Sequence, residues 1–180
     1  MTHSGTTDPA NTDAINMYNV SIPPMVLGLK SLQAILDKAE QHATDHKIDP
    51  TVVLNYRLAA DMFTLARQVQ LTTDFAKGCA ARLAGVDVPK YEDTEASFAE
   101  LKTRITKTLD FIASVDPHAI AGSETREITI PVGGQPKVFT GMAYLNGFAI
   151  PNFYFHATAT YAILRHIGVK IGKRDFLGWN

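Results

Sequence analysis

Apolar residues recur at steps of three and four along three long segments of this chain, and this spacing constrains the fold more than any other feature. One apolar face in each segment is typical of amphipathic helices that pack around a shared core. The stripes are Met25, Leu29, Leu32, Leu36 and Ala39; then Met62, Leu65, Val69, Thr73, Ala76, Ala80 and Leu83; then Phe98, Leu101, Ile105, Leu109 and Ile112.

Residue types that favour helix ends predict the boundaries of these three helices. Proline suits the first turn of a helix, so the first helix is expected to follow Pro23–Pro24. Asp49–Pro50 marks a break before the second helical region, which ends at the natural C-cap Gly85. Asp93–Thr94 supply the capping candidates of the third helix, which stops before Asp116.

The spacing of apolar residues changes to two between Glu127 and Gly141, which predicts a β-hairpin that turns at Gly133–Gly134. Prolines cannot donate to a strand ladder, and the two in this segment therefore keep the hairpin short or at an edge. A fourth, largely apolar helix is expected from about Met142, with Pro151 bending it or starting a new helix just before Asn152.

These elements predict an all-α fold, a four-helix bundle with a small β-hairpin before the last helix. Residues 17–180 are expected to form one domain behind a disordered leader, residues 1–16, whose composition is rich in Ser, Thr, Asp and Asn. The tail, residues 168–180, is expected to be irregular but packed by Phe176, Leu177 and Trp179.

Composition excludes several classes of partner. A formal net charge of −1, from 17 basic and 18 acidic residues without a basic stripe, argues against a nucleic-acid binder. The chain has no uninterrupted apolar stretch of about eighteen residues, so we expect no membrane span. The single cysteine, Cys79, cannot form an internal disulfide, and its small neighbours indicate a tightly packed, inert thiol. A cytoplasmic location fits these observations.

Asn152 and His156 are the polar residues of greatest interest, because they lie one turn apart on the apolar last helix. Burying an amide and an imidazole is costly unless each finds a partner. That partner is a metal, a ligand or another side chain.

Four runs of sequence resemble an uncharacterised family of bacterial and fungal proteins, a domain of unknown function within the DinB/YfiT-like metalloenzyme superfamily. The match extends from about Met17 to Gly178. The runs are Asn55–Phe63, Gln68–Gly78, Pro151–His156 and Gly172–Gly178. The resemblance implies an up-down-down-up four-helix bundle that is often a homodimer.

The resemblance also implies a divalent metal, which the superfamily holds with one histidine on helix two and an i, i+4 pair on the last helix. His156 matches the second of that pair, Asn152 stands in place of the first, and Asp74 stands where the helix-two histidine is expected. This degenerate set would bind zinc, nickel or manganese weakly or not at all. The alternative is that Asp74, Asn152 and His156 saturate one another as a buried polar network.

If His156 contacts Asp74, that carboxylate would hold the imidazole protonated or orient it for proton transfer, making His156 the catalytic candidate. Arg57 either forms an i, i+4 ion pair with Asp61 or projects into the pocket toward an anionic ligand. Tyr56 either lines the pocket or belongs to the core.

His42 and His46 have the i, i+4 spacing of a surface zinc site, but this spacing near a helix end is more typical of favourable charge placement. Conventional catalytic motifs are absent from the sequence. We therefore expect a protein of unknown function whose interior polar pocket binds a small molecule. The alternative is a divalent-metal-dependent transferase or hydrolase that uses a small thiol or water.

Overall fold

The computed structural model describes residues 15–179, and the predicted leader lies outside the described residues except for its last two positions. Four long helices form the predicted bundle: α1 (Met17–Asp45), α3 (Leu65–Ala84), α4 (Phe98–Ser114) and α7 (Ile150–His166). Short helices α2 (Pro50–Leu54), α5 (Pro117–Ala121), α6 (Gly141–Tyr144) and α8 (Lys173–Leu177) complete the helical part. None of the helices within residues 15–179 is long and apolar enough to span a bilayer.

Helix α3 packs between α4 and α7, while α1 closes the bundle by packing against α4, α3 and α7. The core between the four long helices contains fully buried aliphatic and aromatic side chains. Examples are Leu29 and Leu36 from α1, Val69 and Ala76 from α3, Leu101 and Ile105 from α4, and Phe153 and Ile163 from α7. The predicted stripes of the first and third helices supply much of this core.

Helix α1 begins at Met17, so the predicted start after Pro23–Pro24 is wrong. The Asn16 side chain caps the helix by accepting a hydrogen bond of 2.9 Å from the Asn19 amide. Neither proline can donate a backbone hydrogen bond inside the helix. The helix persists through them because the residues on either side, among them Met17 and Met25, are buried.

The second helical region is also shorter than predicted. Residues 55–64 are largely irregular, so Met62 lies outside α3, whose N-cap is Thr64. The predicted C-cap is confirmed, because Gly85 has φ +74°, a left-handed conformation that glycine adopts without strain. Helix α4 is capped by Ser97 rather than by Asp93–Thr94.

The predicted hairpin is confirmed as β1 (Glu127–Val132) paired antiparallel with β2 (Gln135–Thr140). Gly133 and Gly134 form its turn with positive φ at both positions, as a type I′ turn requires. Of the side chains on β1, Ile128 and Ile130 are buried, which anchors the hairpin to the bundle.

A π-helical turn, Leu145–Ala149, joins α6 to α7 without interrupting the helix. Pro151 is the second residue of α7 and cannot donate to the carbonyl four residues before it. The wider turn keeps the chain helical up to this proline, and α7 begins at Ile150 with Pro151 in its first turn, so the prediction that a helix starts just before Asn152 is confirmed. In the tail, α8 forms within the segment that was predicted to be irregular. Phe176 and Leu177 are partly buried as predicted, whereas Trp179 is 68% exposed.

Candidate functional site

Asp74, Asn152 and His156 make their contacts with different partners, so the predicted convergence of these three side chains is wrong. The Asp74 carboxylate binds Arg104 at 2.8 Å and also Lys77. The side-chain amide of Asn152 donates a hydrogen bond of 2.7 Å from Nδ2 to the backbone carbonyl of Phe148, four residues earlier in the chain.

Helical geometry explains why Asp74 does not reach His156. At about 100° per residue, Asp74 lies roughly 120° around α3 from Gln68 and about 100° from Phe75. Gln68 and Phe75 both contact His156 and therefore face α7. Asp74 is turned toward α4 instead, where Arg104 lies.

Gln68 is the true partner of His156. The two side chains meet across the seam between α3 and α7, with 2.7 Å between His156 Nδ1 and Gln68 Oε1. Gln68 is 1% exposed and His156 is 7% exposed, so this polar pair lies in the bundle just below the surface. Gln68 Nε2 donates to the Phe63 carbonyl at 3.4 Å, which fixes the orientation of the amide.

This hydrogen bond determines where the imidazole proton lies. An amide oxygen can only accept, so Nδ1 of His156 must be the protonated nitrogen. In the neutral ring, Nε2 then carries a lone pair. Among residues 15–179, Nε2 has no hydrogen-bond partner.

Burial, together with the positive charge of Arg67, lowers the pKa of His156 from 6.5 to about 4. The imidazole is therefore neutral at pH 7. The expectation that Asp74 holds it protonated is wrong, because the Asp74 carboxylate is bound elsewhere.

Aromatic rings surround the His156 imidazole. The ring of Phe75 stacks on it with 5.4 Å between centroids and 9° between planes. Phe155 meets it edge to face at 5.2 Å, and Phe148 packs on Phe75 with 5.6 Å between ring centroids. Phe155 and Phe63 are more than half exposed, so apolar surface extends from the buried pair to solvent.

The Asp74 carboxylate belongs to a second polar cluster, centred on Arg104 between α3, α4 and the connector of residues 85–97. The Arg104 side chain is 2% exposed. Its acceptors are Thr73 Oγ1, the Glu92 carbonyl, Glu95 and Asp74, and the Asp93 carboxylate lies 3.0 Å from Nη2. These contacts reach every nitrogen of the guanidinium, which indicates a structural network.

Arg57 and Tyr56 make their contacts with residues other than Gln68 and His156. Arg57 is exposed and donates to the Met62 carbonyl, so the predicted helical ion pair with Asp61 is wrong because this segment is irregular. The Tyr56 ring packs on His166, with 5.8 Å between centroids. His166 is ten residues beyond His156 on the same helix, a distance of about 15 Å.

Two further predictions concern histidine and cysteine. The rings of His42 and His46 lie 4.2 Å apart on the exposed end of α1, and His46 Nδ1 lies 2.9 Å from the His42 carbonyl.

Cys79 is fully buried, and this burial raises its pKa to about 12, as expected for an inert thiol.

The donor set around His156 does not fit the divalent metal that the resemblance implies. A metal centre requires several deprotonated donors that converge on one point. Within residues 15–179, no group of three or more His, Cys, Asp and Glu side chains is arranged to hold an ion. The Asp74 carboxylate is already neutralised by two cations.

Gln68 and Arg104 are the two residues that the sequence pattern did not identify. Gln68 lies beside Val69 and Leu65 on α3, and an amide on a helix face otherwise lined by apolar residues was the available signal. Arg104 falls three residues after Leu101, within reach of the apolar stripe of α4, and this position was the available signal.

Comparisons with known proteins agree with the geometry of the bundle. A family model described as "Domain of unknown function (DUF1993)" matches residues 17–177. Among solved structures, the chain is similar to a DinB family member protein from Shewanella denitrificans, with 44% identity and a TM-score of 0.84. That match covers 89% of this chain and 91% of the other. None of the curated proteins matches significantly.

Proposed function

The chain belongs to the DUF1993 family, a domain of unknown function with a DinB-family structural relative, and we infer that it binds a small molecule at the Gln68–His156 pair. One observation carries this proposal. The Nδ1···Oε1 hydrogen bond of 2.7 Å orients a neutral imidazole whose Nε2 lone pair has no partner within residues 15–179.

The chemistry of the pair defines the ligand. An Nε2 lone pair accepts a hydrogen bond, so the ligand presents an O–H or N–H donor. The rings of Phe75 and Phe155 favour an apolar or aromatic body beside that donor. A phenol-like fragment has both features.

The low pKa of His156 favours binding over proton abstraction. A general base works best when its pKa lies near the working pH, whereas the pKa of His156 is about 4. At pH 7 this imidazole accepts hydrogen bonds but is a weak base. His156 is therefore proposed as a ligand-binding residue.

Phenol and anisole, its methyl ether, form a matched probe pair that tests the proposal. Their bodies are similar, but anisole lacks the donor, so phenol is expected to bind about 2–10-fold more tightly by ligand-observed NMR. Protonation of Nε2 removes the acceptor, and this preference should vanish as the pH falls through about 4.

The variant His156→Phe removes the acceptor and keeps a ring against Phe75, and it should lose the preference for phenol. The control His166→Phe, at the exposed end of the same helix, should keep it. Equal binding of both probes to the unchanged protein, or a phenol preference that survives His156→Phe, would contradict the proposal.

The alternative, a metal-dependent transferase or hydrolase, has less support because the donor set around His156 does not fit an ion. Titration of untagged protein with zinc, nickel and manganese tests it. A stoichiometric ion that raises the melting temperature of the protein, but not of His156→Phe, would reverse the ranking of the two functions.

A further inference from the structure

A small apolar cavity lies between α1, α7 and α8, away from the Gln68–His156 pair. Its volume is about 100 Å³. Leu32 and Ile35 of α1 and Phe153 and Ala157 of α7 form its buried walls, while the exposed side chains of Leu27 and Tyr154 line its opening to solvent. Phe176 and Leu177 of α8 lie over it.

Two small residues shape this site. Gly28 lets α1 and α7 approach closely, because a Cβ at this position would lie 2.9 Å from the ring of Phe153. Ala157 follows Phe153 by one turn on the same face of α7 and leaves the volume that a longer side chain would fill. The cavity thus results from the sequence of two packed helices.

Helix α8 is fixed over the cavity by specific contacts. Its Asp175 side chain accepts a hydrogen bond of 2.7 Å from the Gly172 amide and pairs with Lys38 of α1. The Phe176 ring packs edge to face on Tyr161 of α7, with 5.6 Å between centroids. These contacts hold α8 against both helices that form the walls.

We propose that this cavity binds a small, uncharged apolar molecule of about the size of benzene. Its Leu, Ile and Phe lining is of the kind that accepts benzene in apolar cavities on the order of 150 Å³. No charged side chain lines it, so a charged ligand would lose its hydration without gaining a partner. The hydroxyl of Ser31 at its wall already donates to the Leu27 carbonyl at 3.0 Å.

This site is independent of the proposed function. Ala157 lies about 100° around α7 from His156, so the two residues face different neighbours. His156 contacts α3, whereas Ala157 faces α1 and α8. A change at His156 should therefore leave binding in the cavity unaltered.

The test is a titration of the whole protein with benzene and, separately, with benzoate, followed by the methyl signals of Leu32 and Ile35 in ¹H–¹³C NMR spectra. Benzene is expected to shift these methyl signals in a saturable way, while benzoate leaves them unchanged. The methyl signals of Val53, which is buried outside the cavity, serve as the internal reference.

Two variants locate the binding. Ala157→Leu fills the cavity, and it should abolish the benzene shifts. His156→Phe should keep them, which separates this site from the phenol site proposed above. The absence of saturable shifts at Leu32 and Ile35 in the unchanged protein would overturn the proposal even if Ala157→Leu does not fold. Shifts that persist in a folded Ala157→Leu variant would also overturn it.

Discussion

Helix α3 carries two buried polar clusters on different faces, and they differ in how completely their donors and acceptors are used. Toward α4, Arg104 is contacted at every nitrogen by acceptors from α3 and from the connector of residues 85–97. Toward α7, the His156 imidazole uses Nδ1 alone, and Nε2 has no partner within the described residues.

The comparison separates a structural role from the binding role that we propose for His156. A saturated cluster of charges holds the connector of residues 85–97 against the bundle and leaves no polar atom of Arg104 for a ligand. An unsaturated neutral pair retains an acceptor for a ligand. Asp74 illustrates the distinction, because this carboxylate was expected in the binding site and belongs to the saturated cluster instead.

Arg104→Met should have the largest effect on stability, because it leaves the carboxylates of Asp74, Asp93 and Glu95 without their shared cation. We expect the free energy of unfolding to fall by about 3 kcal/mol, measured by urea denaturation. Lys102→Met is the control on the same helix. Its ion pairs with Asp37 and Glu40 are partly exposed, so its loss should stay below about 1 kcal/mol. Equal losses in the two variants would break the contrast between the clusters.

The pH dependence of stability tests the neutral state of His156. Its pKa is about 4 in the folded protein against 6.5 for an unperturbed histidine, so protonation favours unfolding. The stabilisation that comes from keeping His156 neutral is fully present above pH 6.5. As the pH falls from 6.5 to 4, this part of the free energy of unfolding is lost, by up to about 3 kcal/mol. In His156→Phe, the denaturation midpoint should vary less across this window. Identical pH profiles for the two proteins would show that His156 is not held neutral by burial.

Gln68→Glu should convert the neutral pair into a charged one. A carboxylate beside Nδ1 is expected to raise the pKa of His156 by about 1–3 units, which NMR titration of the imidazole measures. Gln33→Glu on α1 makes the same chemical change away from the seam and should leave the pKa of His156 unchanged. An unaltered pKa in Gln68→Glu would mean that Gln68 does not contact His156.

Substitution of Tyr91, whose ring packs beside the Arg104 cluster, has the smallest expected effect on the free energy of unfolding. The ammonium groups of Lys77 and Lys107 lie 4.6 and 4.2 Å from the centre of its ring. Tyr91→Leu should lower the free energy of unfolding by about 1 kcal/mol through loss of these cation–π contacts. Tyr91→Phe keeps the ring and should cost less, since it removes only the hydroxyl, with its long 3.3 Å bond to the Lys107 carbonyl and its side-chain hydrogen bond with Thr108. If both variants lose the same free energy of unfolding, the stabilisation comes from the Tyr91 hydroxyl and not from its ring.

Local patterns in the sequence predicted the elements of the fold well. Apolar spacing identified the long helices, and paired glycines identified the hairpin turn, because both depend on contacts between near neighbours in the chain. The start of α1 was missed because Pro23–Pro24 is typical of a first turn, whereas Asn16 supplies the cap. The π-helical turn before Pro151 has no comparable local signal.

The site was harder to predict, because it depends on how helices are rotated against one another. An error of one or two residues rotates a side chain by about 100–200° and changes which helix it faces. His156 was identified from its place on an apolar helix, but its partner on α3 proved to be Gln68 rather than Asp74. The homodimer and the cytoplasmic location stay predictions.

The placement of Cys79 has a practical consequence. It is the single thiol of the chain, it is fully buried in the C-terminal half of α3, and its pKa of about 12 keeps it uncharged. A thiol-specific reagent can react with it only when the bundle opens. The rate of alkylation therefore reports the opening of the native protein, and it would register stabilisation by a bound ligand without any label having to be introduced.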